Sequence, residues 1–414
     1  MGPHPAVAQV RLAVRRCLTR ARLEPGDLVL VACSGGADSL ALAAAVAFEA
    51  PRLGLSAGGV TVDHGLQAGS ADQARKVTEV VAALGLDPVQ SISVAVAGPG
   101  EAGPDSEPEG RDAAWGEERR WRRATREGAA SGAARRLAGK HSEPEGSEAP
   151  SGRAGKHGAG YPGPEAAARA ARYQALDRAA AATGAAAILL GHTRDDQAET
   201  VLLGLARGSG ARSLAGMAER NGRYLRPLLD VSRAQTRAAC AAQGLDPWDD
   251  PQNADPGYAR ARVRHRLLPA LERELGPGVT GALARSAAQL RVDADFIDSV
   301  AQTATERLTG GSGGPSGGLS TDALAALPDA IRSRVLRNSA IAAGCPPGAL
   351  TAGHVAALDA LVTGWRGQRG ADLPGGIRGQ RRYGKLTFSA SQGEDEPPST
   401  PRQASNREGA SGRD

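Results

Sequence analysis

Short apolar runs alternate with longer Ala/Leu-rich stretches over roughly the first half of the chain. Residues 28–33, Leu-Val-Leu-Val-Ala-Cys, are apolar without a break. That is the pattern of a strand buried on both faces. The Ala/Leu-rich stretch 39–49 predicts a helix directly after it. A second strand is expected at 59–63, a helix at 70–84 ended by Gly85, and a strand at 88–96. After a long interruption come a helix at 165–183 ended by Gly184, an apolar strand at 185–190 and a helix at 195–206. Residues 10–20 read as a short basic helix ahead of the first strand. Alternation of this kind predicts an α/β fold, an open parallel Rossmann-like sheet with helices on both faces. Ligands of such sheets sit beyond the carboxyl ends of the strands.

The interruption at 98–163 contains 14 glycines, 11 basic and 11 acidic residues, and repeats Ser-Glu-Pro-Glu-Gly and Ala-Gly-Lys-His. It has too little apolar surface to offset its ordering entropy and is expected to be a disordered insertion. The first domain is therefore read as 1–240, interrupted at 98–163. A smaller, mainly helical domain is expected at 241–390, with helices at 259–275, 281–308, 321–343 and 351–363 and a small strand pair ending at 383–388. Gly310 to Gly318 reads as a linker, and the polar tail 391–414 as disordered.

Composition changes this picture little. Aromatics are only 3%, so the cores are built from Ala, Val and Leu, and the net charge of +5 gives a mild bias toward polyanions. The four cysteines, Cys17, Cys33, Cys240 and Cys345, form no Cys-x-x-Cys pair and show no zinc or iron–sulfur spacing. Unpaired thiols point to a reducing compartment. With no apolar signal core near Met1 and no run approaching the ~18 residues of a membrane span, the expected location is cytoplasmic.

Candidate chemistry clusters at the strand ends. Ser34-Gly35-Gly36-Ala37-Asp38-Ser39 joins the first strand to its helix. Paired glycines let backbone N–H groups approach a ligand, and the helix N-terminus suits a phosphate. Asp38 is out of place in a pure anion cradle, and a bound cation explains it. No lysine lies nearby, which excludes a Walker A loop. His64 follows the second strand and can serve phosphate, nucleobase or proton transfer. Glu165, Arg169, Arg172 and Tyr173 fall near one helix face, where a plain surface ion pair competes with function.

Residues 191–200, Gly-His-Thr-Arg-Asp-Asp-Gln-Ala-Glu-Thr, open the helix after the strand at 185–190. Asp195 can cap that helix, and Asp196, with Glu199 three residues on, can join Asp38 around Mg²⁺. A solvated acidic first turn accounts for the two aspartates but poorly for His192, Gln197 and Thr200. Farther on, Asp250 and Asp255 lie in an acidic cluster that can hold an amine. Arg260, Arg262, Arg264 and Arg266 wrap the next helix and can meet phosphates, with a solvated basic helix as competitor.

Taken in order, the segments at 34–39, 63–66, 165–173, 191–200, 207–210, 226–229, 249–255 and 260–266 resemble the tRNA(Ile)-lysidine synthetases of the PP-loop, N-type ATP pyrophosphatase superfamily. The resemblance is good over about 10–97 and 164–275 and loose over 276–390. It departs at Ala261 and Gln252, where the family often has Asn and Ser. It implies an adenine nucleotide alpha hydrolase-like fold and a ligase that uses ATP and Mg²⁺. The substrates implied are tRNA(Ile) with a CAU anticodon and free lysine. Ser34 to Ser39 would hold the pyrophosphate, and Asp38 with Asp196 the metal. Asp38, His64, Glu165, Arg169 and Arg172 would serve catalysis. Asp195, Asp196, Glu199, Asp250 and Asp255 would serve lysine or base, and the four arginines at 260–266 would grip tRNA. A PP-loop tRNA thiolase and a catalytically silent RNA-binding relative are the competing readings. The first lacks support in the unclustered cysteines, the second in the presence of both Asp38 and Ser39.

Overall fold

The apolar run at the start of the sheet forms β1 (Leu28–Ala32) in the computed structural model, which describes residues 2–63, 65, 69–94, 164–309 and 318–390, without the side chains of 164–167 and 252. The elements before the insertion are α1 (Pro5–Ala21), α2 (Ala37–Glu49), β2 (Ser56–Asp63), α3 (Ser70–Ala83) and β3 (Val89–Ser93). After it come α4 (Pro164–Thr183), β4 (Ala187–Leu190), α5 (Arg194–Ala206), α6 (Ala211–Leu214), a short hairpin β5 (Arg220–Asn221) and β6 (Tyr224–Leu225), and α7 (Arg233–Ala241). The sheet order is β3-β2-β1-β4-β6-β5, parallel except for the β5–β6 hairpin.

Strand alternation sorts the core into two layers. Val29, Val31, Ala187 and Leu189 face α1, α2 and α7, whereas Leu30, Ile188 and Leu190 face α4 through Leu176, Ala179 and Ala180. Both faces of β1 and β4 are thus covered, which is why neither strand shows a polar alternation. The expected α/β fold class is borne out, with element ends moved by a few residues. The hairpin and α7 were not foreseen. Two-residue strands carry almost no pattern, although Asn221-Gly222 is a turn signal of the usual kind.

Beyond the sheet, α8 (Ala259–Arg262) runs through a π-helical turn (Val263–Leu267) into α9 (Leu268–Glu274), and α10 spans Val279–Thr309. The chain divides into two compact units, one ending at Asp298 and one beginning at Ser299. The second unit packs α11 (Thr321–Ala325), α12 (Asp329–Ala342) and α13 (Ala352–Thr363) around Leu324, Leu336 and Leu358. The helix expected at 321–343 is broken by Pro328, which lacks an N–H and disfavours helical geometry before it. Where a strand pair was expected there is a four-stranded antiparallel sheet, β7-β10-β9-β8. Its strands are β7 (Leu319–Ser320), β8 (Ala371–Leu373), β9 (Ile377–Arg382) and β10 (Lys385–Ala390). The insertion and the tail, for which disorder was expected, and His64 lie outside the described residues. Among the described residues no helix is long and apolar enough to cross a membrane.

Candidate active site

Strand order reverses between β1 and β4, and at such a switch point a crevice opens beyond the strand ends. Ser34 to Ser39 turns in this crevice. Gly35 has φ +84°, and a Cβ there would come within 2.7 Å of Val77 Cγ2, so only glycine fits. Gly191, the first residue after β4, backs onto the loop: a Cβ on it would lie 3.1 Å from the Asp38 carbonyl carbon. Ser39 Oγ donates to the Gly36 carbonyl at 2.9 Å and accepts from the Ser34 N–H at 3.2 Å. The Trp248 N–H donates to the Gly35 carbonyl at 2.9 Å and pins the turn from outside. No side chain caps α2, so its positive N-terminal end is left facing the crevice.

Asp38 stands in the first turn of α2. One oxygen accepts from the Thr236 hydroxyl of α7, and the other lies 3.5 Å from Arg233 Nε. Burial raises its pKa, while Thr236 and Arg233 oppose that rise. Arg233 is the hub of a larger cluster. Its Nη2 lies 2.9 Å from Asp196 Oδ1 and 3.4 Å from Glu199 Oε1, and its backbone N–H donates to Asp195 Oδ2 at 2.8 Å. Burial alone would lower the Arg233 pKa, but Asp196, Glu199 and Asp38 carry it above its ordinary value.

Asp196 is already saturated. Its Oδ2 accepts from the Thr193 N–H at 2.8 Å and the Thr193 hydroxyl at 2.9 Å, and Oδ1 accepts from Arg233 and Arg264. Burial pushes its pKa up, but Arg233, His192, Arg260 and the Thr193 N–H outweigh burial and bring it down to about 2. Glu199 is fully buried and meets Arg264 Nε at 2.7 Å, Arg260 Nε at 3.3 Å and Arg233. Four carboxylates (Asp38, Asp195, Asp196, Glu199) therefore face three guanidinium groups (Arg233, Arg260, Arg264), an acidic surplus suited to a cationic ligand.

The arginines after Tyr258 are split between two tasks. Arg260 and Arg264 turn inward to this cluster, and Arg260 Nη2 also donates to Thr200 Oγ1 at 2.9 Å. Arg262 donates to the Pro256 and Gly257 carbonyls at 2.7 and 3.0 Å, and Arg266 is exposed. Asp255 accepts from the Gly257 N–H at 2.8 Å in a local turn. Asp250 is within electrostatic reach of Arg172, whose pKa is lowered by burial and by neighbouring Arg169. Arg169 stacks over Tyr173 at 5.0 Å. Glu165 lies in α4, its side chain outside the description. Gln197 staples the following loop through Met217, accepting its N–H at 2.7 Å and donating to its carbonyl at 2.8 Å.

Arg233, Thr236 and Trp248 escaped sequence reasoning because nothing local marks them. The one available signal was the Ser232–Gln235 capping box that opens α7. His192 closes β4 with a buried Nδ1 that has no hydrogen-bond partner. Burial, against the pull of Asp196, lowers its pKa from 6.5 to about 3, so the ring is neutral. Between those values the unfolded chain binds a proton that the folded chain refuses. Stability therefore falls as pH drops through that window, by at most about 1.4 kcal/mol per pH unit. Asp196 contributes in the same sense at lower pH, since its folded pKa is also lowered, and loses its stabilisation from 3.8 down to about 2. Urea midpoints at pH 7, 6 and 5 should fall for the native chain and flatten for His192→Gln. An unchanged slope in that variant would refute the assignment.

The PP-loop domain family matches residues 11–111 and 155–271, and the family described as a TilS substrate binding domain matches residues 319–387. The tRNA(Ile)-lysidine synthase of Thermobifida fusca is 52% identical over 94% of this chain and 99% of its own length. That of Streptomyces coelicolor is 48% identical, covering 94% of this chain and 99% of its own. The solved U34-tRNA thiolase of Methanococcus maripaludis aligns with a TM-score of 0.46 at 15% identity, covering 69% of this chain and 79% of that one.

Proposed function

The chain belongs to the tRNA(Ile)-lysidine synthase family, and from that premise we propose how its own residues divide the work of lysidine formation. It is a ligase that uses ATP and acts on tRNA(Ile). In the reaction that the family carries out, the C2 oxygen of the wobble cytidine attacks the α-phosphorus of ATP and expels pyrophosphate. A lysine amine then attacks C2 and expels AMP, forming the new C–N bond. Lysidine pairs with A, so the codon read changes from AUG to AUA. The observation that carries this assignment to residues is the uncapped start of α2 beside Asp38, packed against the exit of β4 at the switch point.

The loop Ser34 to Ser39 holds the pyrophosphate portion of ATP on its amides and hydroxyls. Mg²⁺ fits Asp38, whose second oxygen has only Arg233 at 3.5 Å, better than Asp196, whose oxygens are all engaged. Asp38 would hold the ion beside the loop, and the chemistry it would supply there is neutralisation of charge on the leaving pyrophosphate. Arg169 and Arg172, on the α4 side, supply positive charge to the developing negative charge at the base. Asp195 and Asp250 receive the ammonium groups of lysine, while Asp196 and Glu199, engaged by Arg233, Arg260 and Arg264, hold that cluster in place.

A direct test is AMP release from ATP by the full chain. It should require both lysine and a CAU-anticodon tRNA(Ile), and one AMP should form per lysine incorporated. AMP formed in full amount without lysine would refute the lysine assignment, and so would product carrying sulfur at the base.

A further inference from the structure

The tip of the β9–β10 hairpin carries a residue poorly suited to its backbone. Arg382 and Lys385 pair across the strands and leave Tyr383 and Gly384 as a two-residue turn. Both central residues have positive φ, +48° and +70°, as a type I′ turn requires. Asn-Gly satisfies that geometry, and a bulky L-residue at the first position is strained. Tyr383 is also wholly exposed, at 102% of its reference area. Among the described residues it makes no hydrogen bond or ring contact. An aromatic that packs on nothing and strains its turn gives the fold no benefit, and such local violations mark places where a ligand supplies the missing contact.

Cations surround this tip. Residues 365–385 hold six, Arg366, Arg369, Arg378, Arg381, Arg382 and Lys385, against the single acid Asp372, so this short segment matches the +5 balance of the entire chain. Arg378 is paired with Asp372 at 2.7 Å. Arg381 donates to the Leu361 and Val362 carbonyls at the end of α13, at 3.0 and 3.1 Å. Arg382 and Lys385 are exposed and have no acidic partner among the described residues. Strand alternation buries Ile377, Gly379 and Leu386 on the core side. Arg378, Gln380, Arg382, Lys385 and Thr387 fall on the other. A polar, basic face thus runs out to an exposed ring.

We propose that Tyr383 is a stacking platform for an unpaired base of the RNA substrate, with Arg382 and Lys385 holding the phosphates on either side of it. An acidic protein surface would use the cations and leave the ring unexplained, whereas single-stranded RNA offers both a π-face and phosphates. The inference rests on the reading of the chain as a tRNA-acting enzyme and names one contact within it.

The test is filter binding of CAU-anticodon tRNA(Ile) to the full chain at several salt concentrations, with melting curves alongside. Tyr383→Asn should weaken binding about tenfold. It should leave the slope of log affinity against log salt unchanged and should not lower the melting temperature, because Asn-Gly relieves the turn. Tyr383→Phe should bind like the native chain. Arg382→Ala combined with Lys385→Ala should weaken binding and make the salt slope shallower by about 1.5. Native affinity in Tyr383→Asn would overturn the proposal, as would a loss accompanied by a lower melting temperature or a changed salt slope. Failure of the wider reading looks different: the native chain itself would release no AMP with tRNA and lysine.

Discussion

Asp38→Ala should reduce AMP formation about a hundred- to a thousandfold while leaving tRNA affinity near that of the native chain. The expectation follows from where the carboxylate sits. It stands at the positive end of α2, beside the loop proposed to take the pyrophosphate, and its two oxygens are held by Thr236 and Arg233 of α7. Removing it takes away the carboxylate proposed to hold Mg²⁺, and with it the charge neutralisation that the leaving group would receive. The fold should tolerate the loss, because Arg233 keeps Asp196 at 2.9 Å and Glu199 at 3.4 Å. Asp38→Asn sharpens the test. It preserves shape and the contact to Thr236 but removes the charge, so it should fail nearly as badly. Substantial AMP formation in either variant, measured with saturating lysine and tRNA, would show that the metal is held elsewhere.

The loop around Asp38 was legible because its chemistry is local. Two glycines, two serines and a helix start lie within six residues, and the apolar runs around them fix the strand and helix. The parallel sheet was legible for a related reason: β1 and β4 are covered on both faces and so read as unbroken apolar runs. The direction in which Arg260 and Arg264 point was not legible. Four arginines on alternate positions of one short segment look alike in sequence, whether they face water or a buried acid. What separates them is the i, i+4 pair Arg260 and Arg264 opposite the i, i+3 pair Asp196 and Glu199, a match visible only once α5 and α8 are side by side. Thr236 and Trp248 were invisible for the same reason, since each acts through one long-range hydrogen bond. The second unit's sheet was half seen, because β7 and β8 are only two and three residues long.

The largest loss of stability is expected for Glu199→Ala, about 3–5 kcal/mol. Glu199 is fully buried and is the carboxylate on which Arg233, Arg260 and Arg264 converge. The cost comes less from the lost attraction than from what stays behind. Three guanidinium groups would remain buried without the acceptor they share, and Arg260 Nε already lacks a well-aligned one. A scan of the full chain should show the first unit melting roughly 6–15 °C lower. Replacing both partners, Glu199→Met with Arg264→Met, should cost clearly less than the sum of the single changes, because it removes a buried charge along with its counter-charge. Activity should fall in step, since the same cluster fixes Arg233 against Asp38. Strictly additive single and double variants would mean that Glu199 and Arg264 do not form the coupled pair that the 2.7 Å contact implies.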